Sequence, residues 1–157
     1  MAESADKTTG ILFNAIDALA EAESSYWLCN GTLLGIVRDN MLIPWDTDID
    51  LGLFKETFDD QRTARAFEAR GFTRVLKASG DCRVYAKNEV LVDLNLFGRR
   101  RDEYVSLWQV GKRHLYSRAL RRLIARLPLV KGFLDRFIFA WEGYSCPSEL
   151  LASFKAV

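Results

Sequence analysis

Residues 30–38 read NGTLLGIVR and residues 43–51 read IPWDTDIDL, and these two neighbouring segments decide the fold. The apolar run at 26–29 leads into Asn30-Gly31, a pattern that predicts a short strand entering a tight turn. Thr32 then begins a predicted helix that ends near residues 39–40. From residue 48 to residue 54 aspartate and glycine alternate with apolar side chains, which is the period of a strand. The unit is therefore strand, helix, strand.

Asp48 and Asp50 lie two positions apart on the second predicted strand, so their side chains share one face. Two like charges about 4 Å apart repel each other by about 4 kcal/mol at an effective dielectric near 20. A divalent cation that prefers oxygen ligands would remove this repulsion and explain the placement. Considered alone, a solvated strand edge explains the pair equally well.

A third carboxylate, Asp93, interrupts the apolar run VLVDLNLF at residues 90–97. Burying it without a partner would be costly, whereas a place beside Asp48 and Asp50 on a neighbouring strand would complete a three-carboxylate cluster. Gly31 and Thr32 precede the cluster at a helix N-terminus, where free backbone N–H groups attract phosphate oxygens. A plain helix start is the simpler interpretation of that pair.

Over the rest of the chain, helices and strands alternate in an order that predicts an α/β (α+β) fold with a mixed sheet flanked by helices. A first helix should run from Thr8 or Thr9 to about Ser24. Another should begin at a capping box formed by Thr57 and Asp60, and Gly71 should end it. A hairpin over 72–77 and 83–87 and strands at 90–97 and 104–110 complete the predicted core.

The 157 residues fit one domain, with a core at about 8–112. The chain is 49% hydrophobic and 27% charged, which excludes a disordered protein, and a net charge of +1 with no nucleic-acid reading motif argues against nucleic-acid binding. Three scattered cysteines predict reduced, buried thiols. We find neither a secretory leader nor an apolar run of about 18 residues, so the expected location is cytoplasmic.

The segments NGTLLGIVR and IPWDTDID, with the later VDLNLF, closely resemble the LicD/fukutin-like branch of the nucleotidyltransferase superfamily. The resemblance covers residues from about 26 onward, and it implies a nucleotidyltransferase fold. It also implies that Asp48 and Asp50 hold Mg²⁺, with Mn²⁺ as the alternative. Asp93 would be the third catalytic carboxylate, either a metal ligand or the base for the acceptor hydroxyl. Gly31 and Thr32 would contact the phosphate of the donor.

The same resemblance suggests four further substrate-binding residues. Arg38 and Asp46 would orient the donor or the loop between the two segments. Trp45 would stack on a base or a sugar, and a tryptophan of the core is an equally good interpretation. Lys112 would neutralise phosphate charge, and a solvated lysine is the simpler alternative.

Family members move a phosphocholine or polyol-phosphate unit from a CDP-activated donor to a hydroxyl of a glycan. The expected function is therefore that of a metal-dependent phosphotransferase with a nucleotide-activated donor and a glycan or glycolipid acceptor. One alternative is a nucleotidyltransferase that adds a nucleoside monophosphate to a small molecule or a protein. Another is a catalytically inactive binding module of the same fold, against which the three intact aspartates argue.

Residues 113–140 form a predicted basic, helical segment, and residues 148–157 resemble a shortened version of the family's closing helix. Four arginines line one helical face: Arg118, Arg121, Arg122 and Arg126. Two helices packed on the sheet with these arginines in solvent is the favoured interpretation. The alternative is peripheral contact of 115–140 with the inner face of an anionic membrane.

Overall fold

A computed structural model describes residues 2–75, 80–111 and 139–147 of the chain. Within these ranges, three helices and seven strands follow one another in a mixed order, which confirms the predicted α/β class. Their bounds are α1 Ala2–Glu21, β1 Tyr26–Leu28, α2 Asn30–Asp39, β2 Asp48–Phe54, α3 Asp60–Ala69, β3 Thr73–Val75, β4 Cys82–Lys87, β5 Val90–Arg100, β6 Glu103–Gly111 and β7 Phe139–Pro147.

The seven strands form a mixed sheet in which β2 and β5 are central. These two strands run parallel, and β1 is antiparallel to β2 on the outer side. On the other side β4 is antiparallel to β5, and β3 is antiparallel to β4. The last three residues of β5, Gly98 to Arg100, pair with β6, and β6 also pairs with β7. The only parallel pair described is therefore the one that brings the two aspartate-bearing strands together.

One face of β2 and β5 forms the hydrophobic core. The alternate residues on this face are at most 3% exposed, and they pack in one cluster with apolar side chains of α1 and α3. These strand residues are Ile49, Leu51, Leu53, Val92, Leu94 and Leu96. Because successive side chains of a strand point to opposite faces, burial of this set directs the polar residues of both strands to the other face.

The first helix is longer than predicted, since it begins at Ala2 and ends at Glu21. Thr8 and Thr9 lie inside it and do not begin it. The residues before them include alanine, glutamate and lysine, which favour helix, so the helix extends upstream of the expected cap.

The predicted cap of the third helix was also wrong. Asp59, not Thr57, caps α3, and its side chain accepts a hydrogen bond from the Arg62 backbone N–H at 2.9 Å. Thr57 instead donates to the Phe54 carbonyl within the preceding turn. A carboxylate at the N-cap position satisfies a free N–H and complements the helix dipole, which explains the preference for Asp59.

At the C-terminal end, strand β7 was not predicted. Phe139 and Ala140, which were assigned to the end of the helical segment, lie in this strand, where they pair with Gly111 and Val110 of β6. The rest of that segment and residues 148–157 lie outside the described residues. Of the helices described, none has the length and apolar character needed to cross a bilayer.

Candidate carboxylate site

The parallel register of β2 and β5 places Asp50 directly beside Asp93. Neighbouring strands lie about 4.8 Å apart, and paired residues point to the same face. Asp48 precedes Asp50 by two positions and shares that face. The structure therefore brings together the three carboxylates that the sequence singled out, on the sheet face opposite the core.

Asp50 is the most extensively hydrogen-bonded of the three. One of its oxygens, Oδ1, accepts from the side-chain amide of Asn30 at 3.0 Å and from that of Asn95 at 3.2 Å. Burial raises the pKa of Asp50, while these two amides and the backbone N–H of Gly31 oppose the rise. Hydrogen bonds to the charged form stabilise it, so the asparagines favour an ionised Asp50.

Asp93 lacks such support. Its Oδ1 is buried and has no hydrogen-bond partner among the residues that the structure describes. Burial and then the charge of Asp50 raise the pKa of Asp93 to about 6. A buried acceptor without a partner costs free energy, and burial also disfavours the charged form of this carboxylate.

Asp46 extends the cluster to a fourth carboxyl group. A hydrogen bond with Asp46, together with burial and the charges of Asp46, Asp50 and Asp93, raises the pKa of Asp48 to about 7. Asp46 also approaches the backbone of Gly31, because a Cβ atom at that position would lie 2.5 Å from Asp46 Oδ2. The glycine of the first segment thus leaves room for the aspartate of the second.

Thr32 connects α2 to β2. It is 3% exposed, and its hydroxyl oxygen accepts a hydrogen bond from the Asp50 backbone N–H at 2.8 Å. Gly31 and Thr32 therefore lie beside the carboxylates, as the strand–turn–helix interpretation required. Their contact with a donor phosphate remains a prediction.

The other predicted substrate residues are placed differently. Trp45 is 78% exposed, which excludes the alternative that it belongs to the core. Arg38, near the far end of α2, pairs with its neighbour Asp39 at 2.6 Å, and the structure does not bring it into the carboxylate cluster. Lys112 lies outside the described residues, so its role stays a prediction.

Two site residues, Asn30 and Asn95, escaped the sequence interpretation. Asn30 was taken only as part of a turn, but it is the first residue of α2, with a left-handed backbone (φ 49°). Asn95 is 4% exposed and follows Asp93 by two positions on the same face. A polar residue at that spacing in an apolar strand was the signal that could have revealed it.

Two cysteines, Cys29 and Cys82, lie beside the site. Cys29 and Cys82 are free and buried, as predicted, and Cys29 Sγ lies 3.9 Å from the Asn95 amide nitrogen. Burial, with the charges of Asp50 and Asp93, raises the pKa of each thiol to about 12. Both thiols are therefore protonated at neutral pH and act as small packing groups.

The donor set of the cluster fits a hard divalent cation such as Mg²⁺. Its side chains supply carboxylate oxygens, and none of the ion pairs found among the described residues neutralises Asp48, Asp50 or Asp93. Within the described part of the chain, no group of three or more histidine, cysteine, aspartate or glutamate side chains is arranged so that the protein alone could hold a metal ion. Mg²⁺ typically binds through one or two carboxylates, several waters and substrate phosphates, so an open set is the kind it uses.

Comparison with known proteins identifies a family match and several relatives. The family model described as LicD/FKTN/FKRP, nucleotidyltransferase domain, matches residues 23–118. The mouse ribitol 5-phosphate transferase FKRP is 40% identical over an alignment of 72 residues that covers 42% of this chain and 15% of that protein. Its human counterpart is 38% identical over 72 residues. An uncharacterized protein of Rickettsia prowazekii (strain Madrid E) is 38% identical over 58 residues, 36% of this chain and 22% of that one.

This chain therefore spans only about a seventh of the length of the two transferases. Among solved structures, the complex of ANT(2")-Ia with adenylyl-2"-tobramycin superposes with a TM-score of 0.47 at 16% identity. That superposition covers 62% of this chain and 54% of the other.

Proposed function

Because this chain belongs to the LicD/FKTN/FKRP nucleotidyltransferase-domain family, we propose that it is a metal-dependent phosphotransferase. It moves a phosphate-linked group, of the phosphocholine or polyol-phosphate type, from a CDP-activated donor to a hydroxyl of a glycan or glycolipid. The similarity to the mouse and human ribitol 5-phosphate transferases supports the polyol-phosphate type.

One observation carries the proposal, namely that Asp48, Asp50 and Asp93 share one sheet face, with Asp50 and Asp93 direct partners across the parallel strands. Like charges gathered in this way are unfavourable unless a cation or a proton joins them. Asp48 and Asp50 would hold Mg²⁺, which when bound would neutralise charge on the transferred phosphoryl group.

Asp93 is the residue we assign to the acceptor. The Asp93 carboxylate, on the same sheet face as Asp48 and Asp50, takes the proton of the acceptor hydroxyl as that oxygen forms a bond to the donor phosphorus. The bond between this phosphorus and the oxygen of the leaving nucleoside monophosphate breaks in the same displacement. A raised pKa near 6 allows Asp93 to be ionised before the transfer and to release the proton afterwards.

The donor would lie against the start of α2 and the loop that follows the helix. Gly31 and Thr32 are at the helix N-terminus beside Asp50, where backbone N–H groups and the helix dipole favour a phosphate. The exposed ring of Trp45 offers a planar surface for the base or sugar, one residue from Asp46.

The test is ³¹P NMR of the purified chain with Mg²⁺ and either CDP-choline or a CDP-polyol, with and without a panel of glycan hydroxyl acceptors. We expect the protein to release CMP and EDTA to stop this release. The Asp48→Asn variant should release CMP more slowly by orders of magnitude. A matched control is Asp17→Asn on the exposed side of α1, which should behave as the unchanged protein. Metal-independent release, or full activity of Asp48→Asn, would reject the proposal. Transfer of CMP itself to the acceptor would establish a nucleotidyltransferase instead.

A further inference from the structure

The Asp50 carboxylate is held by two asparagines from separate parts of the fold. Asn30 begins α2 and Asn95 lies in the middle of β5, yet both side-chain amides donate to the same oxygen, Oδ1, at 3.0 and 3.2 Å. Neither amide donates to the other oxygen, Oδ2, and the backbone N–H of Gly31 also hydrogen-bonds the carboxylate. The two asparagine side chains therefore hold the carboxylate through one of its oxygens.

A neutral amide and a cationic side chain affect the charge of a buried carboxylate differently. A lysine or an arginine at either position would cancel the charge of Asp50 and compete with a divalent cation for it. An asparagine stabilises the ionised carboxylate by hydrogen bonding and leaves its charge in place. The arrangement thus preserves a negative oxygen beside Asp93 in a buried setting.

Both asparagines are themselves constrained. Asn30 lies where the chain turns from β1 into α2 and has a left-handed backbone. Asparagine tolerates this conformation better than most residues. Asn95 is 4% exposed and has a second contact, from the same amide nitrogen to Cys29 Sγ at 3.9 Å. The Asp50 backbone is also fixed, because its N–H donates to Thr32.

We propose that Asn30 and Asn95 are positioning residues that together form an amide clamp on Asp50, directing its remaining oxygen to the divalent cation. This inference rests on the proposed function, since it assigns a purpose to the clamp at the same site. Neither asparagine would touch the reacting atoms. Partners that orient a metal ligand commonly change metal affinity by about 10- to 100-fold when they are removed.

The first experiment tests the clamp without metal or substrate. In ¹H–¹⁵N spectra of the metal-free protein, the side-chain amide signals of Asn30 and Asn95 are assigned from their loss in Asn30→Gly and Asn95→Leu. Replacement of Asp50 by Asn should shift both signals, while the signal of the exposed Asn88 stays in place. If neither amide signal responds to Asp50→Asn, the clamp is disproved, whatever the protein catalyses.

The second experiment measures Mn²⁺ binding by electron paramagnetic resonance of the free ion. We expect Asn30→Gly and Asn95→Leu each to weaken binding by about 10- to 100-fold. The matched control is Asn88→Gly. Asn88 lies in the β4–β5 turn with φ 50°, so the change removes the same side chain at a residue with the same positive φ. Asn30→Gly keeps that conformation accessible, and it carries the test alone if Asn95→Leu does not fold.

The outcomes separate the two proposals. Unchanged Mn²⁺ affinity in folded Asn30→Gly and Asn95→Leu would overturn the positioning role. A wild-type protein that binds no Mn²⁺ would contradict the proposed function, and shifted amide signals would still support the clamp. Equal weakening by Asn88→Gly would show a general loss of stability and would also overturn the inference.

Discussion

Asp50 on β2 and Asp93 on β5 are direct partners in the parallel register, but their surroundings differ sharply. Asp50 accepts hydrogen bonds from two asparagine amides, whereas Oδ1 of Asp93 is buried without a partner in the described structure. Two carboxylates placed side by side in unlike environments favour different protonation states, which is a common arrangement when one group binds and the other transfers a proton.

Replacing Asp48 or Asp93 with Asn should stabilise the metal-free protein at neutral pH. Each change removes a charge that like neighbours and burial disfavour, so we expect about 1 kcal/mol for Asp93 and less for Asp48, which solvent screens more. Both variants should lose the thermal stabilisation that Mg²⁺ confers on the unchanged protein. Melting curves with and without Mg²⁺ provide the measurement. Asp17→Asn on α1 is the control, and its stability should change by less than about 0.5 kcal/mol.

Metal-free stability should fall as pH rises from about 4 to about 7. The pKa values of Asp93 and Asp48 are raised from 3.8 to about 6 and about 7, so in this window the folded protein retains protons that the unfolded chain has released. Stability then decreases with pH. Urea unfolding at several pH values should show a shallower decrease in Asp48→Asn and Asp93→Asn. An equal slope in all three proteins would contradict the raised pKa values.

Thr32→Val should destabilise the protein by about 1–3 kcal/mol, because the Asp50 backbone N–H loses its buried acceptor. Thr32→Ser keeps the hydroxyl and should restore most of the loss. Thr63→Val is the control, since the Thr63 hydroxyl is fully buried and has no partner among the described residues. That change should be neutral or stabilising in urea unfolding. A similar loss at both positions would show that the Thr32 hydrogen bond is not responsible.

Gly31→Ala should impair the site with a modest effect on the fold. The new Cβ would lie 2.5 Å from Asp46 Oδ2, so the Asp46 side chain must move and its hydrogen bond with Asp48 is disturbed. We expect a clear loss of Mg²⁺-dependent stabilisation and of CMP release. Gly10→Ala, in α1, meets no atom within 4 Å and should raise stability by up to about 1 kcal/mol. A wild-type response to Mg²⁺ in Gly31→Ala would argue against a role for this close approach.

Membrane contact through residues 115–140 is tested by co-sedimentation with vesicles. If the arginine face is interfacial, the protein should bind anionic vesicles and dissociate as salt increases, since each arginine near the surface contributes about 1 kcal/mol. Replacing Arg118 and Arg122 with Gln should weaken this binding. Equal recovery with neutral and anionic vesicles would favour helices packed on the protein.

Several elements could be predicted because the information is local. Alternation of apolar and polar residues marked β2 and β5, the Asn-Gly-Thr segment marked the start of α2, and the two acidic positions of β2 marked the site. Prediction failed where two local signals competed. Both Thr57 and Asp59 are good caps, and only the folded structure shows that Asp59 caps α3.

The sequence by itself determined which residues of a strand share a face, because the two-residue period of a strand follows from backbone sterics within a few residues. The tertiary structure alone decided which faces meet. The pairing of Asp50 with Asp93 and the convergence of Asn30 and Asn95 on one oxygen join residues 43, 20 and 45 positions apart. Register between distant strands is set by burial of the opposite, apolar face against α1 and α3, which no local pattern records.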